Sequence, residues 1–379
     1  MSAWVPVLAG DEQRAVHDVV RDHARALASR RDHGASAPAL AMRALALAYC
    51  EEAFPGEGWA EHASALLEAA VEGVHAQPLP PSLHDGLLTV AWVVDHLSDG
   101  ADQTEIDDAL LDALAVEAWP GGYDLTSGLV GIGLYAASGV PRRALLCRVL
   151  EHLEARAVRT DAGLTWRTPS AGLPSWQRAI APDGYFDTGV AHGVAGVIGL
   201  AAIACEVDVD RARAERLLRG AIAWLQSVAT RQGDARYPSW VFPQPDPRPQ
   251  PARAGWCYGD PGIATQLFAA GRAVGEAAWC ADAVAMMHDA VRRPAESTRI
   301  EDAGLCHGAI GLAHMLHRLA HGSGDTVLRE AAIGWYRRAL AFPAKDDASF
   351  LAGAAGIVLG MIAASTSVGP GWDRLLGFP

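Results

Sequence analysis

The stretch "LCHGAIGLAHML" (Leu305–Leu316) decides the fold, because it is one of six of its kind. Each runs a glycine-rich turn straight into an apolar, alanine-rich helix. The others are "LHDGLLTVAWVV" (Leu83–Val94), "DLTSGLVGIGLYAA" (Asp124–Ala137), "VAHGVAGVIGLAA" (Val190–Ala202), "WCYGDPGIATQLFAA" (Trp256–Ala270) and "FLAGAAGIVLGMIA" (Phe350–Ala363). Their aligned glycines are Gly86, Gly128, Gly193, Gly259, Gly308 and Gly353, and in five of the six another glycine follows three residues later. Self-similarity of this kind marks a repeat architecture. Three of the turns carry reactive residues: a histidine alone at His192, a cysteine alone at Cys257, and both at Cys306 and His307.

Helical periodicity fills the rest of the chain. In "RAVHDVVRDHARAL", Val16, Val19, Val20, Ala24 and Leu27 fall on one face. Ser36 and Pro38 read as cap and first turn of a helix reaching about Glu52, and "TEID" at Thr104 starts another. "VDRARAERLLRGAIAWLQSVATRQ" and "DTVLREAAIGWYRRALAF" are long and amphipathic. The expected class is all-α, with about seven hairpins, each an apolar helix and a more charged partner. A helix apolar all round must be surrounded by protein. Such hairpins stack as an open solenoid or close as an α/α toroid. Only the toroid gathers every glycine turn at one mouth and brings the three reactive heads together. Two longer gaps, 160–189 and 231–256, are rich in Pro, Trp and Arg and do not read as helix interiors. Both end at a reactive head, where ordered loops shape or cover a site. The "PQPDPRPQP" part of the second reads in part as a disordered insertion.

The bulk numbers narrow the function. With 379 residues, half of them hydrophobic, the chain can bury a large core. A net charge of -13 without a basic block argues against a nucleic-acid or anionic-membrane surface. Six cysteines are too few for a disulfide scaffold and fit reduced thiols in a cytosolic protein. No signal peptide and no membrane span is read.

Cys257, Cys306 and His307 offer two thiolates and an imidazole, a set that suits zinc. Three protein ligands leave a fourth position open, and two thiolates already neutralise the dication. That balance favours activation of a substrate thiol over hydrolysis. The residues of His192 alone leave it open as a ligand, an acid/base group or a structural histidine. Asp124 could pair with it if the turns converge. Arg253 and Tyr258 flank Cys257 and add a cation and a hydroxyl. Cys50, Cys147, Cys205 and Cys280 lie in helical patterns and read as core. His17, His23, His288 and His317 sit in amphipathic helices and read as surface residues, while His84 and Asp85 stay ambiguous.

The ordered motifs "AHGVAG", "WCYGDPG" and "CHGAIG" resemble those of the LanC-type lanthionine synthetases, the lanthipeptide cyclases. With the glycine repeat, the resemblance covers nearly all of the chain from Gly86 onward. It implies an α/α toroid with one zinc held by Cys257, Cys306 and His307. It implies His192 as the acid/base, Asp124 as its partner, and Arg253 and Tyr258 as further catalytic groups. The implied reaction adds a cysteine thiolate of a precursor peptide to a dehydroalanine or dehydrobutyrine of the same peptide and closes a thioether ring. The implied setting is cytoplasmic, in or out of a membrane-associated biosynthetic complex. Only 42 residues separate Gly86 from Gly128, too few for the extra small domain some cyclases carry there. A single catalytic domain over 1–379, with no dehydratase region, implies a stand-alone cyclase served by a separate dehydratase. Two other readings stand beside this one: a relative that binds or adds glutathione, and a zinc-stiffened scaffold.

Overall fold

The computed structural model describes residues 3–31, 34–98, 101–230, 234–243 and 252–379. All of "PQPDPRPQP" except Pro243 lies outside the described residues. In chain order the helices are α1 (Gly10–Ser29), α2 (Ala37–Ala53), α3 (Trp59–Ala76), α4 (Leu87–Leu97), α5 (Thr104–Leu114), α6 (Leu129–Ala136), α7 (Arg143–Arg156), α8 (Ser175–Ile180), α9 (Val194–Glu206), α10 (Arg211–Ser227), α11 (Asp260–Val274), α12 (Ala277–Arg292), α13 (Ala309–Ser323), α14 (Thr326–Ala339) and α15 (Ala354–Ser365). Strands among the described residues are two or three residues long: β1 (Val158–Thr160), β2 (Gly163–Thr165), β3 (Arg167–Thr168), β4 (Tyr185–Asp187) and β5 (Trp240–Val241). No helix of the described residues is long and apolar enough to cross a membrane.

The chain divides into two compact units. One comprises residues 1–103 and 300–373; the other comprises 104–299 and 374–379. In the first, α2 packs on α3, α4 and α15, α1 packs on α2 and α15, and α13 packs on α14 and α15. In the second, α9 packs against α6, α10 and α11, α7 against α5, α6 and α10, and α11 against α12. The division of labour expected from the sequence holds within each. Every residue of α6 and every residue of α9 from Val194 to Cys205 is buried. Their amphipathic neighbour α10 buries only the face of Ala214, Leu217, Leu218, Ala221, Ile222, Trp224 and Leu225.

The six aligned glycines are the N-caps of α4, α6, α9, α11, α13 and α15. A helix start leaves amide protons without intrahelical partners. In α6 these protons go to the preceding loop: Leu129 N donates to Gly122 O, Val130 N to Tyr123 O and Gly131 N to Asp124 O. In α13 Ala309 N, Ile310 N and Gly311 N donate to Asp302 O, Ala303 O and Gly304 O in the same register. The loop thus folds back on its own helix, and the cap has no room for a side chain. A Cβ on Gly128 would lie 2.5 Å from the Gly122 carbonyl carbon and oxygen; one on Gly353 would lie 2.4 Å from Asp347 O.

The two irregular gaps meet in one sheet of order β3-β4-β5, antiparallel, pairing Arg167 with Phe186 and Asp187 with Trp240. The first gap also holds α8, a six-residue helix between Pro174 and Pro182 that the sequence reading did not foresee. Its length is below what periodicity can register. His317 is a second correction. It is 1% exposed, not a surface residue. Its Nε2 lies 2.8 Å from Val5 O, and its ring packs on Trp4 at 4.2 Å. Cys50 and Cys205 are fully buried, as expected, and burial pushes their thiols up to about 12 and about 11. Cys147 and Cys280 are only half-buried.

Gly353→Ala is expected to lower stability by about 1–3 kcal/mol, because the clashing atoms are backbone and cannot step aside. Gly334, exposed in α14 with nothing within 4 Å of its absent Cβ, is the control. Gly334→Ala should be neutral or stabilising by up to about 1 kcal/mol, the helix-propensity difference. Thermal denaturation of the two variants checks the sign; equal melting temperatures would refute the steric account of the turn.

Candidate active site

Within the second unit, three glycine turns are laced to each other by backbone hydrogen bonds. Leu125 N donates to Ala191 O at 3.1 Å, joining the turn of Asp124 to that of His192. Val190 N donates to Cys257 O at 3.1 Å, joining the turn of His192 to that of Cys257. The turn of Cys257 is anchored in turn by buried Trp256, whose Nε1 donates to Leu376 O at 2.8 Å. The residues ahead of each N-cap glycine therefore have fixed positions, whatever their side chains are.

Asp124 Oδ1 accepts from Ser127 N and from Thr126 Oγ1, both at 2.8 Å. His192 Nδ1 lies 3.8 Å from that same oxygen, too far for a hydrogen bond. Thr126 Oγ1 closes the gap, lying 3.3 Å from His192 Nδ1. A hydroxyl has one proton, and here it goes to the carboxylate. Its oxygen then accepts from Nδ1–H, which leaves Nε2 as the ring's exchangeable position. The His192 side chain is 45% exposed, so a substrate can reach it. Partial burial works against a charged ring, but Asp124 and then Asp187 outweigh it, and the imidazole pKa stands above its ordinary value. Burial also works against the Asp124 carboxylate. Contact with His192 and the Ser127 amide overcomes that, and its pKa is lowered.

Asp187, at the end of β4, is fully buried. Its Oδ1 accepts from Gly189 N at 2.8 Å and its Oδ2 from Tyr258 OH at 2.9 Å. Desolvation pushes this carboxyl up to about 7, against the pull of His192. The same burial, with Asp187 beside it, raises the Tyr258 phenol well above its ordinary range. Tyr258 therefore remains a neutral phenol. Neither Thr126 nor Asp187 was singled out by sequence reasoning.

Asp124, His192, Arg253 and Tyr258 all line one cavity of about 1930 Å³. Cys257, in the same unit, is buried at its helix start. In the other unit, the turn ahead of α13 presents Cys306 and His307, both half-buried. There Cys306 N donates to Leu351 O at 2.9 Å, lacing it to the turn of α15. Asp302 steadies this turn, accepting from Gly304 N at 2.9 Å and from Lys345 Nζ at 2.8 Å. As a donor set, Cys257, Cys306 and His307 make a group that could hold a metal ion. Of the ambiguous pair, His84 stacks on Phe350 and Asp85 has a positive φ of 61°; both sit in the turn of α4.

No curated protein matches the chain. Among solved structures, a nisin cyclase matches with a TM-score of 0.80 at 16% sequence identity, over 96% of this chain and 97% of that one. That likeness shows the fold: the all-α class expected from the glycine repeat, and the α/α toroid that the family resemblance implied, are the class found. The sequence profile described as "Lanthionine synthetase C-like protein" matches residues 40–376. Spanning most of the sequence, this match means that the chain belongs to the lanthionine synthetase C-like family.

Proposed function

We propose that the chain is a zinc-dependent lanthionine synthetase. It would join the sulfur of a precursor-peptide cysteine to the β-carbon of a dehydroalanine or dehydrobutyrine in the same peptide. The observation that carries this reading is the Asp124–Thr126–His192 chain, with a partly exposed imidazole on a cavity that Arg253 and Tyr258 also line. A scaffold stiffened by a metal needs no such chain.

Cys257, Cys306 and His307 would hold one zinc, and their donor chemistry fits it: two thiolates and a neutral imidazole, leaving one position for an exchangeable ligand. Bound there, the ion supplies the lowering of a coordinated thiol's pKa below its free value of about 8.5. The remaining work falls to the chain's own residues. Forming the C–S bond turns the dehydro residue into an enolate, which needs a proton at its α-carbon. His192 carries that proton on Nε2. Thr126 and Asp124 keep the ring oriented and favour its charged form. The Arg253 guanidinium offsets the charge on the enolate oxygen. Tyr258, hydrogen-bonded to Asp187, is held in place beside them. In this reading the whole chain acts as one catalytic domain. A separate dehydratase supplies the dehydrated peptide, and the work is done in the cytoplasm.

The direct test is incubation with a dehydrated precursor, followed by thiol alkylation and mass spectrometry, since ring closure itself changes no mass. Loss of alkylatable thiols is expected, and unchanged alkylation refutes the activity. Metal analysis should give one zinc per chain, lost in Cys306→Ala and retained in Cys280→Ala. His192→Ala should keep its zinc and lose ring formation by about 10²-fold or more, the scale of a positioned acid/base group. A zinc-free His192→Ala would make His192 a ligand instead. Thr126→Val should lower the His192 pKa, followed by NMR of the labelled imidazole, because it cuts the link to Asp124. An unmoved titration would show the hydroxyl to be incidental.

A further inference from the structure

The cavity that holds His192 extends well beyond the reacting groups. Its far wall comes from the two irregular sequence gaps. Trp176 is 60% exposed and Ile180 54% exposed; they stand four residues apart, on one side of α8, and both line the cavity. From Trp176 the aromatic rings run inward without a break. Trp176 lies 6.2 Å from Trp240, Trp240 lies 6.2 Å from Tyr258, and Tyr258 lies 6.4 Å from His192. Large apolar side chains left in water beside a site mark a binding surface.

Charge supplies the second half of the argument. Among the described residues, Arg156, Arg167, Arg253 and Arg299 line the cavity, against two carboxylates, Asp124 and Asp183. Asp124 is committed to His192 through Thr126. Arg156 donates to Trp119 O and Arg167 to Asp183 O, both backbone carbonyls, which orient a guanidinium without cancelling its charge. A cationic concavity in a chain of net charge -13 focuses its field on an anion. Size decides what kind of anion. Small-molecule pockets run to roughly 300–1,000 Å³, and this cavity is about 1930 Å³. A tripeptide such as glutathione would leave most of it empty.

We propose that this cavity reads the substrate's sequence. It takes an extended peptide segment that lays an aromatic or aliphatic side chain on Trp176 and Ile180 and turns Asp or Glu side chains toward Arg156 and Arg167, beside the residues that react at His192. The proposal rests on the cyclase reading above for its substrate class. The aromatic run sets the distance between the recognised side chain and the reacting one, and the arginines set the sign of the flanking charge.

The test uses the full chain and unreactive probes, so that binding is read apart from chemistry. Calorimetry would compare an acetylated peptide amide Glu-Phe-Ser-Leu-Asp-Ala with its counterpart Lys-Phe-Ser-Leu-Lys-Ala. The acidic peptide should bind at least about tenfold more tightly at low salt, and the gap should narrow as salt screens the charges. Trp176→Ala should weaken the acidic peptide by about tenfold, as loss of an interface tryptophan does. Because Trp176 is exposed, this change does not threaten the fold. Arg167→Gln should weaken the acidic peptide and spare the basic one. No binding of the acidic peptide, equal binding of both, or indifference to Trp176→Ala would each overturn the proposal. Glutathione binding more tightly than the acidic peptide would also overturn it, by marking a small-thiol site. Cys280→Ala, whose side chain does not line the cavity, should bind the acidic peptide as wild type does. Peptide binding without ring formation on a dehydrated precursor would sink the cyclase reading alone, while ring formation indifferent to Trp176→Ala would sink only this proposal.

Discussion

Each apolar helix begins where a loop carbonyl leaves no space for a Cβ. In α6 and α13 the loop's carbonyl oxygens accept from the helix's first amides, and the glycine is what lets the two backbones approach. One constraint therefore does three things. It satisfies the helix start without a side-chain cap. It frees the residues just ahead of the glycine to carry chemistry. It also presents their own backbone groups to the neighbouring turn, so that Leu125 reaches Ala191 and Val190 reaches Cys257. A site assembled on such turns is as rigid as the helices behind it, which suits reacting groups that must hold their geometry. In α6 and α13 the loop carbonyls already occupy the helix-start amides, so those amides are not open to an anion.

That rigidity has a counterpart in the two irregular stretches, where the sheet of β3, β4 and β5 replaces helix. Its last paired residue, Asp187, is both a strand end and the carboxyl that accepts from Tyr258 and Gly189. The sheet is thus the support through which α8 and its exposed Trp176 are held to the same frame as His192. Helix framework and irregular segments thus meet at one buried carboxyl.

The fold was legible in the sequence because its decisive features recur at fixed offsets. Six glycines, each opening an apolar run, need no tertiary information to be seen. The heads His192, Cys257, Cys306 and His307 were legible for the same reason, since each stands one or two residues ahead of its glycine. Thr126 was not. In "DLTSG" it is an ordinary turn residue, and its meaning comes from a histidine 66 positions away. Asp187 looked like one more acidic residue, because burial and a phenol 71 positions off are invisible in "YFDTG". His317 misled because a helical face was read as outward when residues near the N-terminus, Trp4 and Val5, cover it. The strands and α8 are too short for any period to declare them. What sequence misses here are contacts between residues far apart in the chain that the repeat's offsets do not mark.

The two carboxylates near His192 divide a task that one could not perform. Asp124 sits among donors and is held below its ordinary pKa, so it is ionised at neutral pH and favours the imidazolium. Asp187 is buried with only a phenol and one amide to stabilise a charge, so its pKa rises to about 7. Were both fully ionised, the histidine would face two negative charges and bind its proton too tightly to give it up. Were neither ionised, burial would strip the ring of its proton before the enolate formed. With the two carboxyl pKa values pushed apart, Asp124 carries a full negative charge near neutrality and Asp187 only part of one, which in the proposed reaction leaves His192 a proton that is held yet transferable. The same logic explains why Asp187 hydrogen-bonds Tyr258 and not His192. In the proposed reaction, a partly protonated carboxyl in direct contact with the ring would share the proton assigned to His192, whereas at one remove Asp187 holds Tyr258 in position.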